Sequence, residues 1–300
     1  MNFRYSLEYL KNTWWEMSSD SLPNLACINK YLKAYPKVYF NFKSVVESQA
    51  DNTRKEHFNH ESNNILWNVK CDFNILSSFL SADNSRFESL VCAGADTHLS
   101  KNIKHLQKIK HKFKKIYYEA KDIECDWVQT IPMGMIATYM LRNGGNDVIL
   151  PQINKNKNKT KLIASAFGSK WPFLTKKIAD RSKLKNYTSN CSFIDDMFCE
   201  PNEYYVKLCD YRFFACPVGR GIQTPKICEC VMCETVPVVT DHVAHRELRD
   251  VYDLPLLIVN EWSHLTEKYL NDQWDSTYSK IDWYEQKKKF FVDNFNKLIT

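Results

Sequence analysis

Three cations, one carboxylate and two glycines crowd residues 212–229, and their order is that of an anion site. The apolar run Phe213–Cys216 ends at Pro217, Gly219 and Gly221 permit a tight turn, and Thr224-Pro225 supplies a capping hydroxyl and a first-turn proline. A strand that runs through such a loop into a helix turns the helix's unpaired N–H groups and positive dipole end toward the loop. An anion is favoured there, most simply the diphosphate of a nucleotide. Glu229 lies about one turn into that helix, where a carboxylate can accept hydrogen bonds from the two hydroxyls of a ribose. A Gly-x-Gly alone is only a turn; the elements around it give it meaning.

Those elements alternate. Val236–Val239 and Leu254–Val259 read as short buried strands after the helix, and a new helical pattern follows Asn260-Glu261-Trp262. In the first half, Lys37–Phe42 alternates as a strand, and Cys71–Ala82 has helical apolar spacing at Phe73, Leu76, Phe79 and Leu80. Ser89–Ala93, residues 99–112 and Lys115–Ala120 follow as strand, helix and strand. Such alternation predicts a parallel α/β sheet. Asn143-Gly144-Gly145 breaks a helix over Met135–Leu141, and the polar run Asn154–Lys161 suits a linker or exposed loop. Leu162–Phe167 would then open a second domain, turning through Gly168-Ser169-Lys170 into a helix over about Pro172–Arg181. The expected division is an N-terminal domain over 1–155, a donor domain over 156–278 and a terminal helix over 279–300. Asn12–Ser21, with Trp14 and Trp15, reads as a further helix whose tryptophans serve packing.

The pattern Cys-Pro-Val-Gly, Gly221, Thr224, a basic residue at 226, Glu229, Val-Pro-Val-Val and Asp-Leu-Pro-Leu-Leu-Ile-Val-Asn-Glu-Trp resembles the exostosin-like glycosyltransferases. It is most similar to the branch with the ribitol xylosyltransferases. Asp122–Met135 also resembles a family segment in which a strand leads to an Ile-Pro-x-Gly turn. The resemblance implies a GT-B architecture: two Rossmann-like domains, a cleft between them and a C-terminal helix returning to the first. It also implies that Gly219, Gly221 and Thr224 hold a sugar nucleotide's diphosphate, that Glu229 binds the ribose, and that a basic side chain after the second domain's first strand, here Lys170, reaches the phosphates. Two departures stand out. Lys226 replaces the family's arginine, keeping charge without the bidentate fork, and Cys233-Glu234 replaces a small residue and glycine.

Composition agrees. The chain has 300 residues, 44% hydrophobic and 25% charged, enough for two cores of about 130–150 residues each. Its net charge of +6 suits an anionic substrate and falls short of a dedicated nucleic-acid binder. Lysines 101, 104, 108, 110, 112, 114 and 115 read as a solvated face rather than a nucleic-acid strip. No run reaches the roughly 20 apolar residues of a membrane span, and the first residues lack the apolar core of a signal peptide. The eleven cysteines, odd in number and scattered, suit a reducing compartment. The expectation is a cytoplasmic protein, with the Golgi lumen as the alternative if an N-terminal anchor was removed. Cys228, Cys230 and Cys233 do not share one helix face, so they read as small buried hydrophobes rather than a zinc site.

Sugar transfer needs the leaving diphosphate neutralised and, for inversion, a base on the acceptor hydroxyl. Helix amides, Thr224, Arg220, Lys226 and Arg212 are the candidates for the first task, with no metal or cofactor required. For the base, Asp96 in the sequence Ala-Gly-Ala-Asp-Thr-His is the first candidate and His98 the second, with Glu119 and Asp126 behind them; Asp96 equally suits capping of the helix that follows. The expected reaction moves a sugar from a UDP-sugar, UDP-xylose first, to a hydroxyl of a glycan acceptor. The alternative is a non-catalytic nucleotide- or polyanion-binding protein with a relic donor pocket.

Overall fold

The computed structural model describes residues 38–40, 64–69, 73–82, 86–93, 97–131, 158–166, 179–200, 203–219, 221–252 and 254–278. The expected helices at 12–21, 135–141 and 279–300 lie outside these, as do Asp96, Lys170 and Arg220. The first half forms β1 (Val38–Phe40), β2 (Asn64–Asn68), α1 (Phe73–Ala82), β3 (Phe87–Ala93), α2 (Leu99–Ile109), β4 (Phe113–Tyr118) and β5 (Gln129–Thr130). The second forms β6 (Lys161–Ser165), α3 (Ala179–Thr188), β7 (Ile194–Asp196), α4 (Tyr204–Leu208), β8 (Tyr211–Ala215), α5 (Lys226–Met232), β9 (Val236–Thr240), α6 (Val243–Asp250), β10 (Leu257–Val259) and α7 (Glu267–Tyr278). The expected boundary between 155 and 156 lies outside the described residues.

Each half builds a five-stranded sheet, and every pairing is parallel. Parallel strands are covered on both faces, so they read as apolar runs. In β3 Phe87, Ser89, Leu90, Val91 and Cys92 are all buried, and in β8 Phe213, Phe214 and Ala215 are fully enclosed. On α2, Leu99, Leu106 and Ile109 face the first core, while Lys101, Lys104 and Lys108 lie on the solvated face. A proline in β9 is compatible with its central place. Val238 accepts from Cys216 N, which turns Val238 toward β8 and Pro237 toward β10, and β10 pairs only from Val238 onward. No ladder bond is lost there.

The first sheet runs β1-β2-β3-β4-β5, a sequential order among the described strands. The second runs β10-β9-β8-β6-β7. Counted from β6, that is the doubly wound order 2-1-3-4-5, whose topological switch point lies between the first and third strands, β6 and β8. Ligands of such sheets bind outside the carboxyl ends of the strands at this point.

The two halves are locked together by buried polar contacts. Lys121, 2% exposed, donates to the carbonyls of Cys125 (3.0 Å) and Val128 (2.6 Å) and pairs with Glu247 on α6. The other Glu247 oxygen accepts from Thr130 N at 2.6 Å, and Tyr252 OH donates to Thr130 O at 2.6 Å. Gln223 donates at 2.7 Å to both Glu119 O and Ile131 O. Arg246 adds an exposed pair with Glu124.

Four features depart from the sequence reading. β2, β7 and α4 had no recognisable pattern, being a polar-flanked five-residue strand, a three-residue edge strand and a five-residue helix. The helix expected over about 172–181 is described only from Ala179 and runs on to Thr188. Lys159, assigned to a polar exposed run, is buried: its ammonium donates to Cys209 O and Cys233 O at 2.6 Å each and to Thr235 Oγ1 at 3.2 Å. Burial lowers its pKa, and these three acceptors replace its water. Finally, α5 closes in a Schellman motif, with Thr235 N bonded to Cys230 O and Glu234 N to Val231 O. Glu234 takes a left-handed φ of 63° there, at the position where the resembled family has glycine. Glu234→Gly is therefore expected to raise unfolding free energy by about 0.5–1 kcal/mol in urea titration; a loss of stability would contradict this account of the turn.

Candidate functional site

The loop from Cys216 to Thr224 leaves β8 at the switch point. Its turn closes with Gly219 N on Gly221 O at 3.1 Å. Asp180, at the start of α3 beyond β6, braces it: Oδ2 accepts from Val218 N and Oδ1 from Trp262 Nε1, both at 2.7 Å. Arg181 lies beside it, and a Cβ on residue 219 would stand 3.0 Å from Arg181 Nη2. Glycine at 219 is thus what lets a guanidinium lie against the loop backbone. Neither Asp180 nor Arg181 was singled out by sequence. Each sits in an ordinary polar helix start, and only the strand order places them beside the glycines.

The helix starts one residue later than its sequence signal. Pro225 occupies the N-cap position without a side-chain bond, so Thr224 does not cap; it is buried at the loop's end. Glu229 is also buried, 6% exposed, and its Oε2 accepts from Tyr204 OH at 2.9 Å. Lys226 Nζ lies 3.3 Å from the same hydroxyl and over the rings of Tyr204 and Phe214, 4.6 and 5.4 Å from their centroids. Burial raises the Glu229 pKa, opposed by the Lys226 charge and the Tyr204 hydrogen bond. Burial and the Glu229 charge push the Tyr204 phenol well above its ordinary range. Tyr204 comes from α4, a helix too short to announce itself in sequence.

The structure thus brings Gly219, Gly221, Thr224, Lys226 and Glu229 together around one loop and helix. It does not bring Arg212 there. Arg212 lies near the amino end of β8, bonded to Asn271 Oδ1 at 3.2 Å and 5.5 Å from the Trp274 ring centroid on α7. Cys228, Cys230 and Cys233 are buried in the core, with Cys230 Sγ 3.8 Å from Cys216 Sγ. Among the described residues no group of three or more His, Cys, Asp or Glu is placed to hold a metal ion.

Across from the loop stand the carboxyl ends of β3 and β4. Glu119 N binds Cys92 O at 2.9 Å, and Gln223 on the loop reaches Glu119 O. His98 is the N-cap residue of α2 and makes no side-chain cap bond. The capping acceptor is Asp122, which takes Ser100 N on Oδ1 at 2.8 Å and Ser100 Oγ on Oδ2 at 2.5 Å. Asp122 also lies 3.5 Å from His98 Nδ1. Of the other base candidates, Glu119 is 6% exposed and Asp126 is exposed.

The start of α6 carries two histidines. His242 Nδ1 accepts from Ala244 N at 3.2 Å, and His245 Nδ1 lies 2.7 Å from Thr240 O. Burial, then the neighbouring His245, holds His242 down at about 4; burial likewise depresses His245. Two parallel α/β units, joined through residues 119–131 and 223–252 with the carboxyl ends of their strands at the junction, give the two-unit α/β architecture the sequence predicts; the expected returning helix lies outside the described residues.

No family model matches the chain, and no curated protein matches it. Among solved structures it is similar to OtsA in its apo form, with 8% identity, 78% of this chain and 71% of that one covered, and a TM-score of 0.41. It is also similar to an α,α-trehalose-phosphate synthase (UDP-forming) from Burkholderia vietnamiensis, with 10% identity, coverages of 78% and 70%, and a TM-score of 0.38. Among the described residues no helix is long and apolar enough to cross a membrane.

The histidines give the fold a pH dependence of definite sign. An unfolded imidazole takes up a proton near 6.5, whereas folded His242 does so only near 4, so the unfolded state binds more protons between those values. Stability is full above pH 6.5 and falls as pH drops toward 4. Thermal melts should show that fall, and His242→Asn, which keeps a capping acceptor for Ala244 N, should reduce it. An identical pH dependence in the variant would contradict this assignment.

Proposed function

We propose that the protein is a glycosyltransferase that moves a sugar from a nucleotide-sugar donor to a hydroxyl of a glycan acceptor in the cleft between its two α/β units. The observation that carries this reading is the glycine loop at the switch point of the second sheet, with a buried carboxylate about one turn into the helix beyond it and the first unit's strand ends opposite. The diphosphate lies on the backbone of Gly219, Gly221 and Thr224, against Arg181, with Arg220 and Lys170 as further cations. The ribose meets Glu229, one oxygen of which is held by Tyr204, while Lys226 balances its charge.

Negative charge grows on the diphosphate as the sugar leaves. Preorganised cations and amides in a water-poor cleft stabilise that charge, so the reading requires no metal ion and no cofactor beyond the substrate itself. The donor is a UDP-sugar, with UDP-xylose first, and the reaction inverts. These finer assignments, and membership of the exostosin-like group, are supported by the motif resemblance at residues 216–262. The base comes from residues 96–98, which follow β3, by abstraction of the acceptor hydroxyl's proton.

Isothermal titration of the protein with UDP and GDP tests the reading, followed by a hydrolysis screen over their sugar conjugates. UDP is expected to bind, and Glu229→Ala or Glu229→Gln to weaken it by about 10–100-fold, the worth of a hydrogen bond to a charged group. Lys104→Ala, on the solvated face of α2, should leave it unchanged. Absence of nucleotide binding would overturn the proposal; binding indifferent to Glu229 would overturn the ribose assignment.

A further inference from the structure

A second polar cluster, separate from the glycine loop, forms where β3 and β4 end. The Asp122 carboxylate is fixed by Ser100 through both oxygens, 2.8 Å from its N–H and 2.5 Å from its hydroxyl, so it cannot swing away. Its Oδ2 stands 3.5 Å from His98 Nδ1, with side-chain exposures of 15% for Asp122 and 33% for His98. Beneath them Tyr118 OH reaches toward His98 O at 3.4 Å and accepts from Asn102 Nδ2 at 2.8 Å. The acid is sheltered and the imidazole is partly open.

We infer that His98 is the general base that activates the acceptor hydroxyl and that Asp122 positions it, an inference that rests on the glycosyl-transfer reading above. A carboxylate at Nδ1 selects the tautomer with its proton on that nitrogen and leaves the basic lone pair on Nε2. Nε2 takes the proton from the acceptor hydroxyl as its oxygen bonds to the anomeric carbon. The bond from that carbon to the diphosphate oxygen breaks, and its electron pair leaves on the diphosphate. Asp122 stays ionised and stabilises the imidazolium formed.

Placement supports the role. The strands that carry the dyad are those whose ends meet the glycine loop, through Glu119 and Gln223. His242 on α6 feels the charge of Asp122, which puts the dyad on the side of the first unit facing the second. Asp122, from the loop after β4, lies 3.5 Å from His98 Nδ1 and Tyr118 OH lies 3.4 Å from its carbonyl, while His242, the N-cap of α6, lies near Asp122. Burial pushes the Tyr118 phenol above its usual range and holds His242 near 4. Both are therefore uncharged near neutrality, and Asp122 is the charge that governs the imidazole.

The test uses the full chain with UDP-xylose and UDP-glucose, water serving as acceptor, and UDP titration run alongside. His98→Gln should lower hydrolysis by about 10²–10⁴-fold with UDP affinity kept within about twofold. Asp122→Asn keeps an acceptor for Ser100 N; it should lower kcat with little change in KM. A wild-type rate in His98→Gln, or loss of turnover confined to Asp96→Asn, overturns the dyad and leaves the nucleotide reading standing. Failure of the wild type to bind UDP overturns both. A second measurement needs no turnover: nitrogen-15 shifts of His98 should report the Nδ1–H tautomer in the wild type and its loss in Asp122→Asn. The Nε2–H tautomer in the wild type would overturn the assignment.

Discussion

The contact between Lys121 and Glu247 is the constraint on which the cleft depends. A lysine that is 2% exposed has given up its water, and two carbonyls of the 121–128 loop and a carboxylate from the other half take its place. Removing one partner of such a buried pair leaves the other uncompensated, a loss of about 3–5 kcal/mol in comparable cases. Glu247 also holds Thr130 N, and Tyr252 holds Thr130 O. Residues 119–131 are therefore pinned against α6 and the glycine loop, which fixes where the strand ends of the first sheet face those of the second.

From that constraint the functional geometry follows. The second sheet reverses its order between β6 and β8, where Asp180 binds Val218 N and Arg181 lies beside Gly219. Gln223 then carries the loop to the first sheet. The diphosphate side and the base side of the proposed reaction are thus not independent features. Both border one junction, whose two sides are joined by the buried hydrogen bonds of Gln223, Glu247 and Tyr252.

Much of the second half was legible because its strands are fully buried runs and its loop is punctuated by proline and glycine. Phe213–Cys216, Val236–Val239 and Glu229 announce themselves by type and spacing. What was illegible was what depends on partners distant in sequence. Arg181 has no local signal; its place beside the glycine loop comes from the strand order, which puts β6 beside β8. Tyr204 sits on a five-residue helix, and Asp122 caps a helix from 22 residues away, where sequence reasoning looks for a cap at the helix start. Lys159 reads as solvated by every compositional rule, and only three converging acceptors allow it inside. Arg212 shows the opposite error: proximity in sequence to the loop placed it in the site, but it stands at the other end of its strand, against α7.

The central claim is that a nucleoside diphosphate binds at the glycine loop between the two units. The most direct measurement is a crystal structure of the protein with UDP. The account predicts the diphosphate against the backbone of residues 217–224 and the Arg181 guanidinium, with the ribose hydroxyls on Glu229. UDP bound elsewhere, or bound there with Glu229 engaged by Tyr204 alone, would contradict it.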